Sequence, residues 1–568
     1  MTQRTPFGST FYVANAMEIF ERLAWYGFFT LSSLYMTSPI AQGGLGFSDK
    51  ERGFLQGMIP FLLYLFPVIT GALADRYGYK KMFIISFVIM APSYYMLGQV
   101  TEFWSFCAVF LGVAIGAACF KPIVVGTVAR VTDDTNRGLG FGIFYTMVNV
   151  GGFLGPLIAG YMRVIGWDMV FIMSSLWIVL NFIPVIFFYH EPQKTTRTES
   201  LKTVLSQAQQ VLGNARLAVV VIPLIIAIMI AAKGSISFTV FIQLSLIWLL
   251  INVVWSRLIK GSVGGAWYQE TIRVGNKNFV TYLLILTGFW TMYLQLFITT
   301  PLYIRDFVNT QDLVMIIERF VPSWLDFLAA VNPEKLTEFI EHSILKGDVN
   351  DPMFTQALYF DLVNYKVMVP PELIKEGLNN VLNQTISASE LTSNWIYQHR
   401  QINPEYLINL DFALIVIVQI AISKLCNQLK AIPVIVSGTL LVAVGYIIGG
   451  LAHGMLLGGT LMVTSILVFA VGEMVASPKS QEYVAAIAPK ENTAMYMGYY
   501  FVSMALGNLF AGLLSGWLYS ELAKKENMPM MMWCIFAAIG GITAVLLMWF
   551  DAKLTRTQRT FSAESTLA

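Results

Sequence analysis

Charged side chains are scarce in this sequence: Asp, Glu, Lys and Arg make up 12% of the 568 residues, against 56% hydrophobic. A soluble domain needs many more charges to cover its surface, so this composition excludes one and marks a multispanning membrane protein. The net charge of +2 gives no electrostatic footprint for nucleic acid, which is not expected as a partner; the lipid bilayer is. Cysteine is rarer still. Cys107, Cys119, Cys426 and Cys534 all lie in or beside apolar stretches, which argues against a disulfide framework or a zinc site and for packing. His342 and His399 lack metal-ligand spacing, so no metal is expected. No nucleophile, base and orienting group can be assembled with a metal or phosphate motif, so an enzyme is not expected. The opening MTQRTPFGST leads into an apolar helix without a small-residue cleavage site, and no cleavable signal is expected.

What the chain does have is apolar runs of about twenty residues along most of its length, the length of a membrane-spanning helix; barrel strands would alternate in segments of about ten. The fold class expected is an all-α membrane protein. The runs fall near 11–36, 53–73, 82–98, 103–126, a fifth run around Tyr145, and 167–189. Two more follow at 217–232 and 235–258, and then 279–303, 407–426, 433–451, 457–476, 494–518 and 530–550. Between the second and third runs lies GALADRYGYKK, where Asp75 and Arg76 cap a helix end and Gly78 permits a tight reversal. Lys80 and Lys81 place that loop in the cytoplasm, and with it the N-terminus.

Three charges interrupt the first run. Glu18, Glu21 and Arg22 in MEIFERLAWYG are three and four residues apart and share one helix face. A charge near the bilayer centre costs about 2.5–3.5 kcal/mol on insertion scales, so such residues face a watery cavity and take part in transport. A salt bridge for packing would need one pair and leave no spare carboxylate. In the fourth run Lys121 precedes Pro122, putting a cation beside a backbone irregularity, where it either snorkels to the edge or meets Glu18 or Glu21 in the cavity. Tyr145 and Asn149 in the fifth are four apart on one face and suit a polar ligand.

Taken together, Glu18, Glu21, Arg22, Trp25, Tyr26 and Gly27, then GALADRYG, FKP and FYTMVNVG, resemble the proton-dependent oligopeptide transporter family of the major facilitator superfamily. The resemblance implies the major facilitator fold: two six-helix bundles plus an inserted two-helix hairpin, fourteen transmembrane helices in all. With the polar stretches between the runs it gives a domain order of 1–190 (first bundle), 191–277 (linker and hairpin), 278–304 (seventh helix), 305–405 (an insert the resemblance does not cover), 406–551 (remaining helices) and 552–568, a short polar tail expected to be mobile in the cytoplasm. It also carries over Tyr64, Trp290 and Glu473 as substrate-binding residues with Arg22, Tyr26, Lys121, Tyr145 and Asn149. Proton coupling falls to Glu18, Glu21, Arg22 and Lys121, and Asp75, Arg76 and Asn508 are gating or structural. Leu294, beside Gln295, stands where the family usually has an acid, and Asp411 is offered as a substitute.

The function so implied is a proton-coupled symporter importing di- and tripeptides by alternating access across the cell inner membrane, both termini inside, with the proton as coupling ion and no cofactor. Two other readings compete: a proton-coupled transporter of another small solute (nitrate, an amino-acid derivative or a drug), and a membrane scaffold with an outer binding domain. The insert of about a hundred residues has lower hydropathy and amphipathic segments such as EKLTEFIEHSIL and PELIKEGLNNVLN, which predict a small helical domain on the outer side. The sequence assigns it no function; an unknown partner is one use for it.

Overall fold

The computed structural model describes residues 7–133, 136–191, 206, 209, 211–259, 266–426, 428–488 and 493–567. Among them the chain is helical, with only two isolated antiparallel bridges. The first bundle contains Ser9–Thr37 (α1), Asp49–Leu65 (α2) continued by Pro67–Tyr77 (α3), Tyr79–Leu97 (α4), Phe103–Arg130 (α5), Arg137–Ile165 (α6) and Trp167–Leu180 (α7). A hairpin, Ala215–Ala232 (α8) and Phe238–Leu258 (α9), precedes the second bundle. That bundle starts with Lys277–Tyr293 (α10), prolonged by Gln295–Ile298 and Thr300–Phe307 (α11). The insert follows as Gln311–Phe320 (α12), Pro333–Lys346 (α13), Pro352–Asn364 (α14), Pro371–Leu382 (α15) and Ala388–His399 (α16). The bundle is completed by Pro404–Ile408 leading into Leu410–Cys426 (α17), then Ala431–Gly450 (α18), Gly458–Ile487 (α19), Thr493–Leu518 (α20) and Pro529–Leu567 (α21).

Twelve of these spans are long and apolar enough to cross a membrane. α1, which carries the three charges, and α4, which opens on Lys80 and Lys81, bring the number to the expected fourteen. Local sequence sets the ends. Ser48 and Glu51 form a capping box at the start of α2, satisfying backbone donors in both directions. Pro67 lacks an N–H and breaks that helix at Phe66, and Gly78, with φ +94°, ends α3 in a conformation other residues rarely adopt. In the seventh membrane helix Pro301 has the same effect at Thr299, the residue before α11.

Three expectations are adjusted. The last membrane helix, expected to end near Phe550, is helical as far as Leu567; no Gly or Pro interrupts it after Gly541. The tenth membrane helix, α19, runs on through Pro478 to Ile487 instead of stopping near 476. The insert has a helix, α16, that the hydropathy pattern did not mark; Ser387 caps it by accepting from the Glu390 N–H at 3.1 Å.

In the first bundle α1 packs on α6 and α7, and in the second α18 lies between α19 and α21. The bundles meet along α2 with α20 and along α6 with α17. The insert has its own core, with Leu336, Ile340, Leu362, Ile374, Leu391 and Trp395 buried together. It is fixed to the second bundle. Gln401 accepts from the Thr310 N–H at 2.6 Å, and Asp312 accepts from the backbone of Gly459 and Thr460 at 3.1 and 2.7 Å, capping α19.

Candidate functional site

On the first-bundle wall the three charges of α1 meet as their spacing predicts. Arg22 lies between the two carboxylates, 3.1 Å from Glu18 and in direct contact with Glu21, and all three are buried. Gly151 on α6 makes this possible: a Cβ there would lie 2.4 Å from the Arg22 Cβ. Lys121 does not join the ion pairs. Its ammonium sits 4.1 Å from the centre of the Tyr64 ring, which is itself stacked on Phe501 of α20.

Tyr26 reaches between the walls. Its ring is 5.8 Å from the Arg22 guanidinium and 4.9 Å from the Phe412 ring of α17. Opposite, the Tyr293 hydroxyl donates to Glu473 at 2.8 Å, and Trp290 meets Tyr293 edge-on at 5.2 Å. Asp411 is fully buried on α17 beside Glu473. One wall therefore carries Arg22 and Lys121 beside the carboxylates of Glu18 and Glu21, and the other carries the carboxyls of Glu473 and Asp411.

Tyr145 and Asn149 line a cleft of about 650 Å³ between α6 and α17, with Ile415, Gln419 and Lys424 facing them. The cleft is lined by the first half of α6 and the last half of α17. Asn149 spends one amide hydrogen on the Tyr145 carbonyl at 2.8 Å. Higher up, the same two helices close on each other: Cβ atoms at Gly152 and Gly160 would meet Phe412 and Tyr406 at 2.7 and 3.0 Å.

The insert end is sealed by polar contacts across the two bundles. Arg52 donates to Ser515 at 3.1 Å and to the Ile298 carbonyl at 3.3 Å, and Gln56 ties it to Ser33. Lys524 pairs with Asp49 at 3.0 Å, Tyr519 donates to Asp306 at 2.8 Å, and Arg305 holds Asp306 at 2.6 Å. Arg163 pairs with Glu405 at 3.1 Å. Behind this layer α2 and α20 touch backbone to backbone, where a Cβ at Gly512 would lie 2.2 Å from the Gly57 nitrogen.

Other residues singled out in the sequence sit apart from the hollow. Gln295 bridges helices by donating to Thr291 and Ala511 carbonyls at 2.9 and 3.3 Å, and Asn508 bonds within its own helix to Met504. Arg76 is exposed at the end of α3, and the side chain of Asp75 lies outside the described residues. The seal was not foreseen. Asp49, Arg52, Arg163, Arg305, Asp306 and Glu405 could have been found by the criterion that found Glu18: charge in or at the end of an apolar run.

The Major Facilitator Superfamily family model matches residues 22–317 and 357–566. The chain belongs to that superfamily, whose members are multi-pass membrane transporters. Its fold is that of the POT family within it: a crystal structure of a POT family transporter in complex with 5-aminolevulinic acid superposes with TM-score 0.63 at 16% identity, covering 96% of both chains. Among curated proteins, the peptide transporter YePEPT of Yersinia enterocolitica is 28% identical over 174 residues, 29% of this chain and 34% of that one. Dipeptide and tripeptide permease A of Serratia proteamaculans is 26% identical over 182 residues, 30% of this chain and 34% of that one. The matched stretches thus span about a third of the length of these relatives.

Proposed function

We propose that the protein is a proton-coupled symporter that imports di- and tripeptides by alternating access, with the insert outside the cell and both termini in the cytoplasm. The observation that carries this reading is the placing of two cations, Arg22 and Lys121, on the wall of one bundle and an acid, Glu473, on that of the other. A short peptide is a zwitterion, so its carboxylate suits the first wall and its ammonium the second, and it draws the two bundles together as it binds. The sealed insert end and the cleft beside Tyr145 fit a carrier open to the cytoplasm. Protonation of Glu18 or Glu21 would weaken its hold on Arg22 and release that cation for the peptide carboxylate. Inward movement of one net positive charge gains about 2.3 kcal/mol per 100 mV of membrane potential.

The test is uptake of labelled di-alanine by proteoliposomes of the full-length protein. Accumulation with an imposed proton gradient, and exchange without one, are expected. Folded protein that does neither would overturn the reading.

A further inference from the structure

The carboxyls of Asp411 and Glu473 are on adjoining helices, α17 and α19, and lie within hydrogen-bonding reach of each other. Asp411 is 0% exposed, yet no donor among the described residues reaches either of its oxygens, and the second oxygen of Glu473 also lacks one. Two ionised carboxylates in contact in a buried setting repel strongly, and each orphaned oxygen adds a desolvation cost. A proton on either carboxyl relieves the repulsion and lets its O–H donate to the other, leaving one negative charge on the pair.

The groups that face the pair do not supply a cation. They are phenols from four helices: Tyr26 of α1, Tyr145 of α6, Tyr293 of α10 and Tyr446 of α18. Arg22, whose guanidinium is 5.8 Å from the Tyr26 ring, is engaged by Glu18 and Glu21. In α19 itself Lys479 pairs with Glu482. Among the described residues, therefore, no cation is paired with either acid.

We propose that Asp411 and Glu473 form a carboxyl pair that binds one proton and one substrate ammonium together. Two negative charges need two positive ones, and neither ion alone neutralises the site. The proton arrives from water on the open side, rests between the carboxyls, and returns to water once the ammonium has left. Its coupling role rests on the transport reading above; the sharing of the proton does not.

Infrared pH titration of the purified full-length protein tests the sharing directly. Wild type should keep a protonated-carboxyl band at neutral pH, and both Asp411→Asn and Glu473→Gln should lose it, since each places an amide donor against the remaining carboxylate. A wild type without that band, or a band that survives in both variants, would overturn the proposal. The coupling arm compares gradient-driven uptake with counterflow in Asp411→Asn, where the ratio should fall about tenfold relative to wild type. An unchanged ratio sinks the coupling role. Failure of wild type to exchange di-alanine counts against the transport reading and leaves the infrared result to decide the pair.

Discussion

Arg163 of the first bundle and Glu405 of the second meet at 3.1 Å, with the carboxylate fully buried and the guanidinium 4.7 Å from the Trp167 ring centre. Removing one partner of a buried pair leaves the other charge stranded, at a cost of about 3–5 kcal/mol. Glu405→Gln should therefore lower the thermal stability of the purified protein, and the exchange Arg163→Glu with Glu405→Arg should recover a good part of it. A melting temperature unmoved by Glu405→Gln would show that the pair does not hold the seal.

The glycine seam predicts a steric effect of a single methyl group. Gly512→Ala places carbon 2.2 Å from the Gly57 nitrogen and 2.5 Å from the Gly53 carbonyl, and backbone cannot step aside as a side chain can. The two helices must separate, at a cost of about 1–3 kcal/mol. Thiol labelling of a cysteine placed at Ser38 should become faster in Gly512→Ala. An unaltered labelling rate would mean that the helices accommodate the methyl group without opening.

Within the transport reading, Glu21→Gln keeps the shape of the α1 triad but removes one titratable carboxyl. Gradient-driven di-alanine uptake should fall by about tenfold more than counterflow does. Full accumulation against the gradient in this variant would contradict the assignment of Glu21 to coupling.

Lys366 on the insert offers a pH-dependent stability effect outside the membrane. Burial first, and the positive charge of Arg163 second, push its ammonium down from the usual 10.5 to about 7, while it donates to the Ala330 carbonyl at 3.0 Å. Between about 7 and 10.5 the unfolded chain binds the extra proton, so stability rises with pH across that window. Below about 7 the folded protein carries the full cost of the buried charge. Lys366→Met should therefore melt at a higher temperature than wild type in mild acid, with the gap closing as the pH approaches 10.5. A gap independent of pH would point to packing alone.

Much of this molecule can be read from the chain because lipid makes the rules strict: apolar runs must be helices, and charge within them must have a purpose. Glu18, Glu21 and Arg22 come together because their spacing on one helix compels it. Lys121 could not be placed that way, since its neighbour Tyr64 is on another helix and only the packing of α5 against α2 brings them together. The Arg163–Glu405 pair is 242 residues apart in sequence, a long-range relation that no local period encodes. α16 escaped notice for a different reason: ASELTSNWIYQH has little amphipathic contrast, and its Leu391 and Trp395 are buried only because the other insert helices surround them.

The hairpin helix α8 leans on both bundles at once, its Ile225, Ile228, Met229 and Ala232 set against Phe61 and Leu65 of α2 and Leu509 of α20. That contact is made by apolar side chains, and dispersion forces between such surfaces change little when one slips past the other by a fraction of a turn. The hairpin can thus act as a greased bearing, keeping the two halves aligned while they tilt and offering little resistance to the stroke.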